Sequence, residues 1–364
     1  MADTPLKPEE RVLFALRGLY QKYGYSQFKM SKFEEYDLYA RNKDFLISDG
    51  VITFTDTDGR LMALKPDVTL SIIKNTRNAP GDIQKLYYSE NVYRVSGSTR
   101  QFKEILQTGL ECIGDVDLYN LCEVISLAAQ SLNTIGERYV LDLSHMGVVS
   151  ALVDALGLDA DTRGQVLRCI GEKNADGVRK LCPDMDTEGI RALIAARGPA
   201  AKVVEALRPW CAEGAAKAAL DELAQVAGIL DAIGCGGVQV DFSIVNDMNY
   251  YNGIVFMGYI DGIPASVLSG GQYDKLMQRM GSPARAVGFA IYMDLLERLS
   301  GEQSPYDVDT VLLYDDGADV MSLTRAVRFL TDSGTAVCAM KRIPEKLRYR
   351  QLLRFEDGGI RTNA

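Results

Sequence analysis

The chain has 364 residues, 47% hydrophobic and 24% charged, enough to bury a core in more than one domain and too apolar for a disordered chain. Its formal charge of −9 leaves no electrostatic footprint for a broad nucleic-acid surface. One histidine and seven scattered cysteines without a C-x-x-C pair argue against a His-based metal site, a zinc knuckle or a disulfide framework, and fit reduced thiols in the cytoplasm.

The N-terminus starts polar and becomes an amphipathic helix over "PEERVLFALRGLYQKYG", without the basic start and apolar centre of a signal peptide. No apolar run reaches the ~18 residues of a membrane span, so no membrane partner is expected. The segments "VITFTDTDGRLMALKP", "KLYYSENVYRV", "EILQTGLECIG" and "YVLDLSH" then alternate in the manner of strands. The turn "DTDGR" between two apolar runs signals a hairpin, and hairpin-linked neighbours favour an antiparallel sheet. His145, following "YVLDLS", reads as a packing or capping residue.

Over residues 147–232 the apolar spacing becomes three to four residues, as in "GVVSALVDALGL" and "AAKAALDELAQVAGILDAIG", which marks a helical insertion. The sheet pattern resumes with "VQVDFSIVND", "YYNGIVFMGYIDG" and "IPASVLSGG", and a last helix is expected over "AVGFAIYMDLLERLS". The insertion thus lies within one folded core of residues 1–300. Residues 305–364 read as a short α/β appendage: strand "VDTVLLYD", helix "ADVMSLTRAVRFLTDSG", strand "TAVCAMK" and helix "EKLRYRQLLRFE". There is no G-x-x-x-x-G-K-[ST] phosphate loop, and the glycines of "SGGQYDKL" fit a tight turn or close packing as well as a ligand.

Taken in order, "FEEYDLYARNKDF", "LMALKPDVTLSIIKN", "NVYRV…KEILQTGLECIG", "NDMNYYNGIVF", "VLSGGQYDKLMQRMG" and "AVGFAIYMDLLERL" resemble the successive motifs of the histidyl-tRNA synthetase family. The resemblance implies an α+β fold, a class II aminoacyl-tRNA synthetase-like antiparallel sheet of six or seven strands flanked by helices, dimerising through the first motif. It also implies a histidine pocket. Asp67 and Thr69 of "LKPDVT" match the residues that grip the α-amine, Gln107 and Glu111 match "Q-x-G-x-E", and Tyr250, with Tyr251 beside it, matches the tyrosine that contacts the ring. Positions 107, 109 and 111 of a strand share one face. A carboxylate buried there needs a partner, since an unpaired one costs roughly 3–5 kcal/mol. Asp67 and Thr69 would also serve as caps of a helix beginning "VTLSII".

The groups that would activate the amino acid are altered. Arg94 persists and Lys103 stands where a second arginine belongs, giving a point charge in place of a fork. Together they mark a relict ATP site. Ser96 occupies a glutamate position, Asn246 an arginine position, Tyr292 a glycine position and Leu295 the arginine of the last motif. Charge developing on a transferring phosphate needs cations, so adenylation is expected to be lost. With the RNA-reading domain reduced to about 60 residues, tRNA is not an expected partner.

Retained amino-acid contacts with lost adenylating cations resemble the regulatory-subunit family of ATP phosphoribosyltransferase, which acts at the first step of histidine biosynthesis. This resemblance implies a noncatalytic chain without a cofactor, a self-dimer that assembles with a short-form catalytic subunit into a hetero-octamer, and histidine as allosteric effector. An active but divergent histidyl-tRNA synthetase and a free-standing histidine-binding module remain the alternatives, as does histidine acting at the subunit interface.

Overall fold

The structure is a computed structural model that describes residues 6–43, 46, 50–76, 81–96, 99–245, 250–299 and 305–362. The chain divides into two compact units, Lys7–Leu299 and Ser300–Ala364 with Met1–Leu6.

The larger unit begins with helix α1 (Pro8–Lys22), with Pro8 at its first position and Glu10 bonding back to the Lys7 amide. The elements that follow are β1 (Ser26–Gln27), β2 (Phe33–Glu35), α2 (Tyr36–Ala40), β3 (Thr53–Thr55), β4 (Leu61–Leu64) and α3 (Val68–Asn75). The long pair β5 (Ile83–Val95) and β6 (Phe102–Gly114) leads to α4 (Leu118–Ile135) and β7 (Tyr139–His145). A helical block follows: α5 (Met146–Asp154), α6 (Ala160–Gly171), α7 (Ala175–Leu181), α8 (Glu188–Ala195), the two-residue β8 (Arg197–Gly198), α9 (Ala200–Leu207) and α10 (Gly214–Ala232). The unit closes with β9 (Val238–Asp241), β10 (Ile254–Ile260), β11 (Leu268–Gln272), α11 (Asp274–Arg279), β12 (Arg285–Tyr292) and a 3-10 helix, Met293–Leu299.

Among the described residues nine strands form the main sheet, in the order β1-β5-β6-β12-β11-β10-β7-β9-β8. That exceeds the six or seven implied by resemblance because the two outermost strands, of two residues each, extend it at both edges. The sheet is mixed rather than purely antiparallel, since β1 pairs with β5 and β7 with β9 in parallel. Parallel neighbours need a long crossover, and the helical block supplies it between β7 and β9. The expected "DTDGR" hairpin is present as β3–β4, in a separate three-stranded sheet with β2. His145 caps α5: its Nδ1 accepts from the Gly147 amide at 3.0 Å, and its Nε2 lies 3.2 Å from Glu222.

Two expected helices are strands. "AVGFAIY" lies in β12, between β6 and β11, buried on both faces over most of its length. Such a strand has no polar side to alternate, so its apolar run mimics a buried helix. Only the tail "MDLLERL" coils, as the 3-10 helix.

The smaller unit has the expected β13 (Val308–Leu313), α12 (Val320–Asp332) and β14 (Val337–Met340), but "RYRQLLRFE" is strand β15 (Tyr349–Glu356), paired with β16 (Gly359–Thr362). Leu353 and Phe355 point into the core while Arg354 and Glu356 face out, a period of two. Asp357 and Gly358 both have positive φ, 52° and 74°, as a two-residue primed hairpin turn requires. Its sheet runs β14-β13-β15-β16, with Leu323, Ala326, Val327 and Leu330 of α12 packed on Leu312, Leu353 and Phe355. Among the described residues no helix is long and apolar enough to cross a membrane.

Candidate functional site

The path of the chain from β4 into α3 sets one wall of a cavity. Asp67 ends the connection as the N-cap of α3, its carboxylate accepting from the Leu70 amide at 2.8 Å, so the capping role is real. The connection is sewn to β5 at two points. The Lys65 carbonyl accepts from the Tyr93 amide at 2.8 Å, and Arg94 Nε donates to the Pro66 carbonyl at 3.0 Å. Lys65 itself is fully buried and ion-paired to Glu90 at 3.0 Å. Held this way, Asp67 and Thr69 also line the cavity. Burial raises the Asp67 carboxyl above the usual range, against the pull of the Leu70 amide and the Arg94 guanidinium.

The floor is built from the registers of the sheet. Across β6 and β12, Glu111 faces Gly288, Gly109 faces Ala290 and Gln107 faces Tyr292; β11 adds Ser269 beside Ala290. Glu111 is 2% exposed and is gripped from both sides. Thr69 Oγ1 donates to its Oε1 at 2.7 Å, and the Tyr273 hydroxyl donates to its Oε2 at 2.6 Å. Gly288 makes the arrangement possible, because a Cβ there would sit 1.7 Å from Oε2. Burial raises the Glu111 carboxyl to about 8 despite the two hydroxyls, with the Asp67 charge adding to the shift. Tyr250 and Tyr251 pack edge to face with centroids 4.7 Å apart, and Tyr250 lies 5.9 Å from Tyr273.

The sequence-predicted residues Asp67, Thr69, Arg94, Gln107, Glu111, Tyr250 and Tyr251 therefore line one cavity. Lys103 does not join them: it is exposed and pairs opposite Arg94 near the tip of the β5–β6 hairpin. Tyr292 lines the cavity, whereas Leu295 packs against the main core and Asn246 lies outside the described residues. Sequence reasoning passed over Tyr273, although it stands in the quoted "SGGQYDKL", because attention fell on the glycines. Tyr88 and Ser269 were also not singled out.

Chemically, the cavity offers two buried carboxyl groups, a tyrosine wall and, among the described lining residues, Arg94 as its one cation. It suits a small ligand that carries both ammonium or N–H donors and a carboxylate. Among the described residues no group of three or more His, Cys, Asp or Glu side chains could hold a metal ion.

A family model described as histidyl-tRNA synthetase matches residues 4–296. The ATP phosphoribosyltransferase regulatory subunit of Clostridium kluyveri is 30% identical over 325 residues, which cover 85% of this chain and 83% of that protein. An ATP phosphoribosyltransferase regulatory subunit/histidyl-tRNA synthetase from Bacillus halodurans has the same fold, with a TM-score of 0.77 at 24% identity over 95% of this chain and 93% of that one. A chain of the ATP phosphoribosyl transferase complex from Thermotoga maritima aligns with a TM-score of 0.62 at 20% identity, over 77% and 96% of the two chains. The fold is thus that of the class II synthetase-like proteins, and the chain belongs to the histidyl-tRNA synthetase-like family of ATP phosphoribosyltransferase regulatory subunits.

Proposed function

We propose that this chain is a noncatalytic regulatory subunit that joins a short-form ATP phosphoribosyltransferase catalytic subunit in the cytoplasm, activates it, and transmits feedback inhibition by histidine. In this reading the core, residues 1–300, dimerises and assembles with the partner into a hetero-octamer. Histidine occupies the cavity. Asp67 and Thr69 receive its α-amine, Glu111 its imidazole, Arg94 its carboxylate, and Tyr250 and Tyr251 flank the ring, with Gln107 on the outer floor. The observation that carries the reading is Glu111, a buried carboxyl held between Thr69 and Tyr273 in a cavity with a single described cation. Such a site can recognise an amino acid but cannot steady a triphosphate for attack.

Histidine inhibits only if it binds the low-activity assembly more tightly, and a coupling of about 1–3 kcal/mol suffices. By linkage, the partner's substrates must then weaken histidine binding by the same factor. The test is phosphoribosyl transfer by the short-form subunit, measured alone, with this chain, and with this chain plus histidine. Activation reversed by histidine is the expected result. Histidine-dependent exchange of pyrophosphate into ATP by the isolated chain would instead establish a synthetase.

A further inference from the structure

The floor of the cavity is uneven in a way that bears on what it admits. Its inner rung pairs Glu111 with Gly288, its middle rung Gly109 with Ala290, and its outer rung Gln107 with Tyr292. Along β12 the side chains on this face thus grow from hydrogen to methyl to phenol. Alternate residues of an antiparallel strand lie about 7 Å apart, so inner and outer rungs are separated by about 13 Å. A single amino acid of histidine's size spans the inner and middle rungs with its ring at Glu111. Whatever continues past its carboxyl group arrives at Tyr292. The backbone there is fixed, since the Tyr292 amide donates to the Val267 carbonyl at 2.9 Å, and both Tyr292 and Gln107 line the cavity. On the neighbouring strand, Glu90 faces Gln107 and the chain runs outward from it to Arg94, which brings the cavity's cation in from the same end.

From these registers we infer that Tyr292 is a specificity-determining residue that ends the cavity: a free α-amino acid enters, and the same amino acid bearing a bulky group on its carboxyl is refused. The inference rests on the reading that the cavity binds histidine and adds a limit on ligand length. It separates a sensor of the free amino acid from a site that would also take aminoacyl esters, amides or adenylates.

The experiment is calorimetric titration of the full-length chain with histidine, histidinamide and histidine β-naphthylamide. The two amides lack the same carboxylate charge, and the second adds a bulky apolar aryl group in place of one amide hydrogen. Wild type should bind the naphthylamide at least about 50-fold more weakly than histidinamide; Tyr292→Ala should narrow that gap to about fivefold, and Tyr292→Phe should preserve it. Equal affinity of wild type for the two amides would overturn the inference without recourse to any variant, as would an undiminished gap in a folded Tyr292→Ala protein. Failure of histidine itself to bind wild type would overturn the underlying reading, and this inference with it.

Discussion

Replacing Glu111 with glutamine should remove a pH dependence of stability and weaken ligand binding. The carboxyl is raised from 4.5 to about 8 by burial. An acid whose folded pKa exceeds its unfolded value holds its proton more tightly in the folded state. Its contribution is therefore most favourable below about pH 4.5, declines as pH rises through the window, and levels off above about 8. At about 1.4 kcal/mol per pH unit, wild type loses roughly 5 kcal/mol at most across that window. The amide does not titrate. It does turn its NH2 towards one of the two hydroxyls, Thr69 or Tyr273, which must rotate to accept, at a cost of about 1 kcal/mol. Glu111→Gln should accordingly be slightly less stable than wild type at pH 5 and more stable at pH 8, with the two curves crossing between. Denaturant midpoints at four pH values and constant ionic strength would show the crossing. Above about pH 8, where Glu111 is ionised, loss of its charged hydrogen bond to imidazole, about 1.5–3 kcal/mol, should weaken histidine binding by about 10- to 150-fold in calorimetry. Parallel pH–stability profiles would refute the argument from burial, and an unchanged histidine affinity would refute the role given to Glu111.

Gly288→Ala should lower the melting temperature of the core by about 2–4 °C for each of the 1–3 kcal/mol that overpacking costs, because the new methyl meets Glu111 Oε2 at 1.7 Å and the Leu110 carbonyl at 2.5 Å. An unshifted thermal melt would show that the Glu111 carboxyl has room to move. Arg94→Ala should reduce histidine affinity about tenfold or more while leaving activation of the catalytic subunit intact without histidine, read by calorimetry and by transferase assay. Collapse of activation with assembly preserved would give the arginine a role in the complex instead. Gly358→Ala places a Cβ at a φ of 74° and should destabilise the smaller unit by about 1 kcal/mol, seen as about fivefold faster hydrogen exchange of the β15 amides.

The residues of the cavity were legible through the motifs that resemble the family, although the contacts among them span 42 and 162 residues of sequence. Asp67 lies three residues before Leu70, whose amide it caps, and positions 107 and 111 share a strand face whatever the strand packs against. The two misread segments failed for opposite reasons. β12 is covered on both faces, so no polar alternation survives in "AVGFAIY". β15 does alternate at Leu353 and Phe355, and the "DGG" turn that follows marked its end as a hairpin.

The sequence by itself carried the resemblance that names the family of the fold, the helical block within the sheet, and the carboxylates and tyrosines that line one cavity. The helical block shows in the spacing of apolar residues along the chain, and the rest rests on the ordered motifs that resemble the family. Only the tertiary structure decided that Tyr273 closes on Glu111 from 162 residues away, that Lys103 stands apart, that Gly288 leaves room for the Glu111 carboxyl, and that Tyr292 joins Gln107 in the cavity wall. These follow from strand registers between distant segments, and a register is fixed by burial and hydrogen bonding of the whole sheet rather than by the sequence of any one strand.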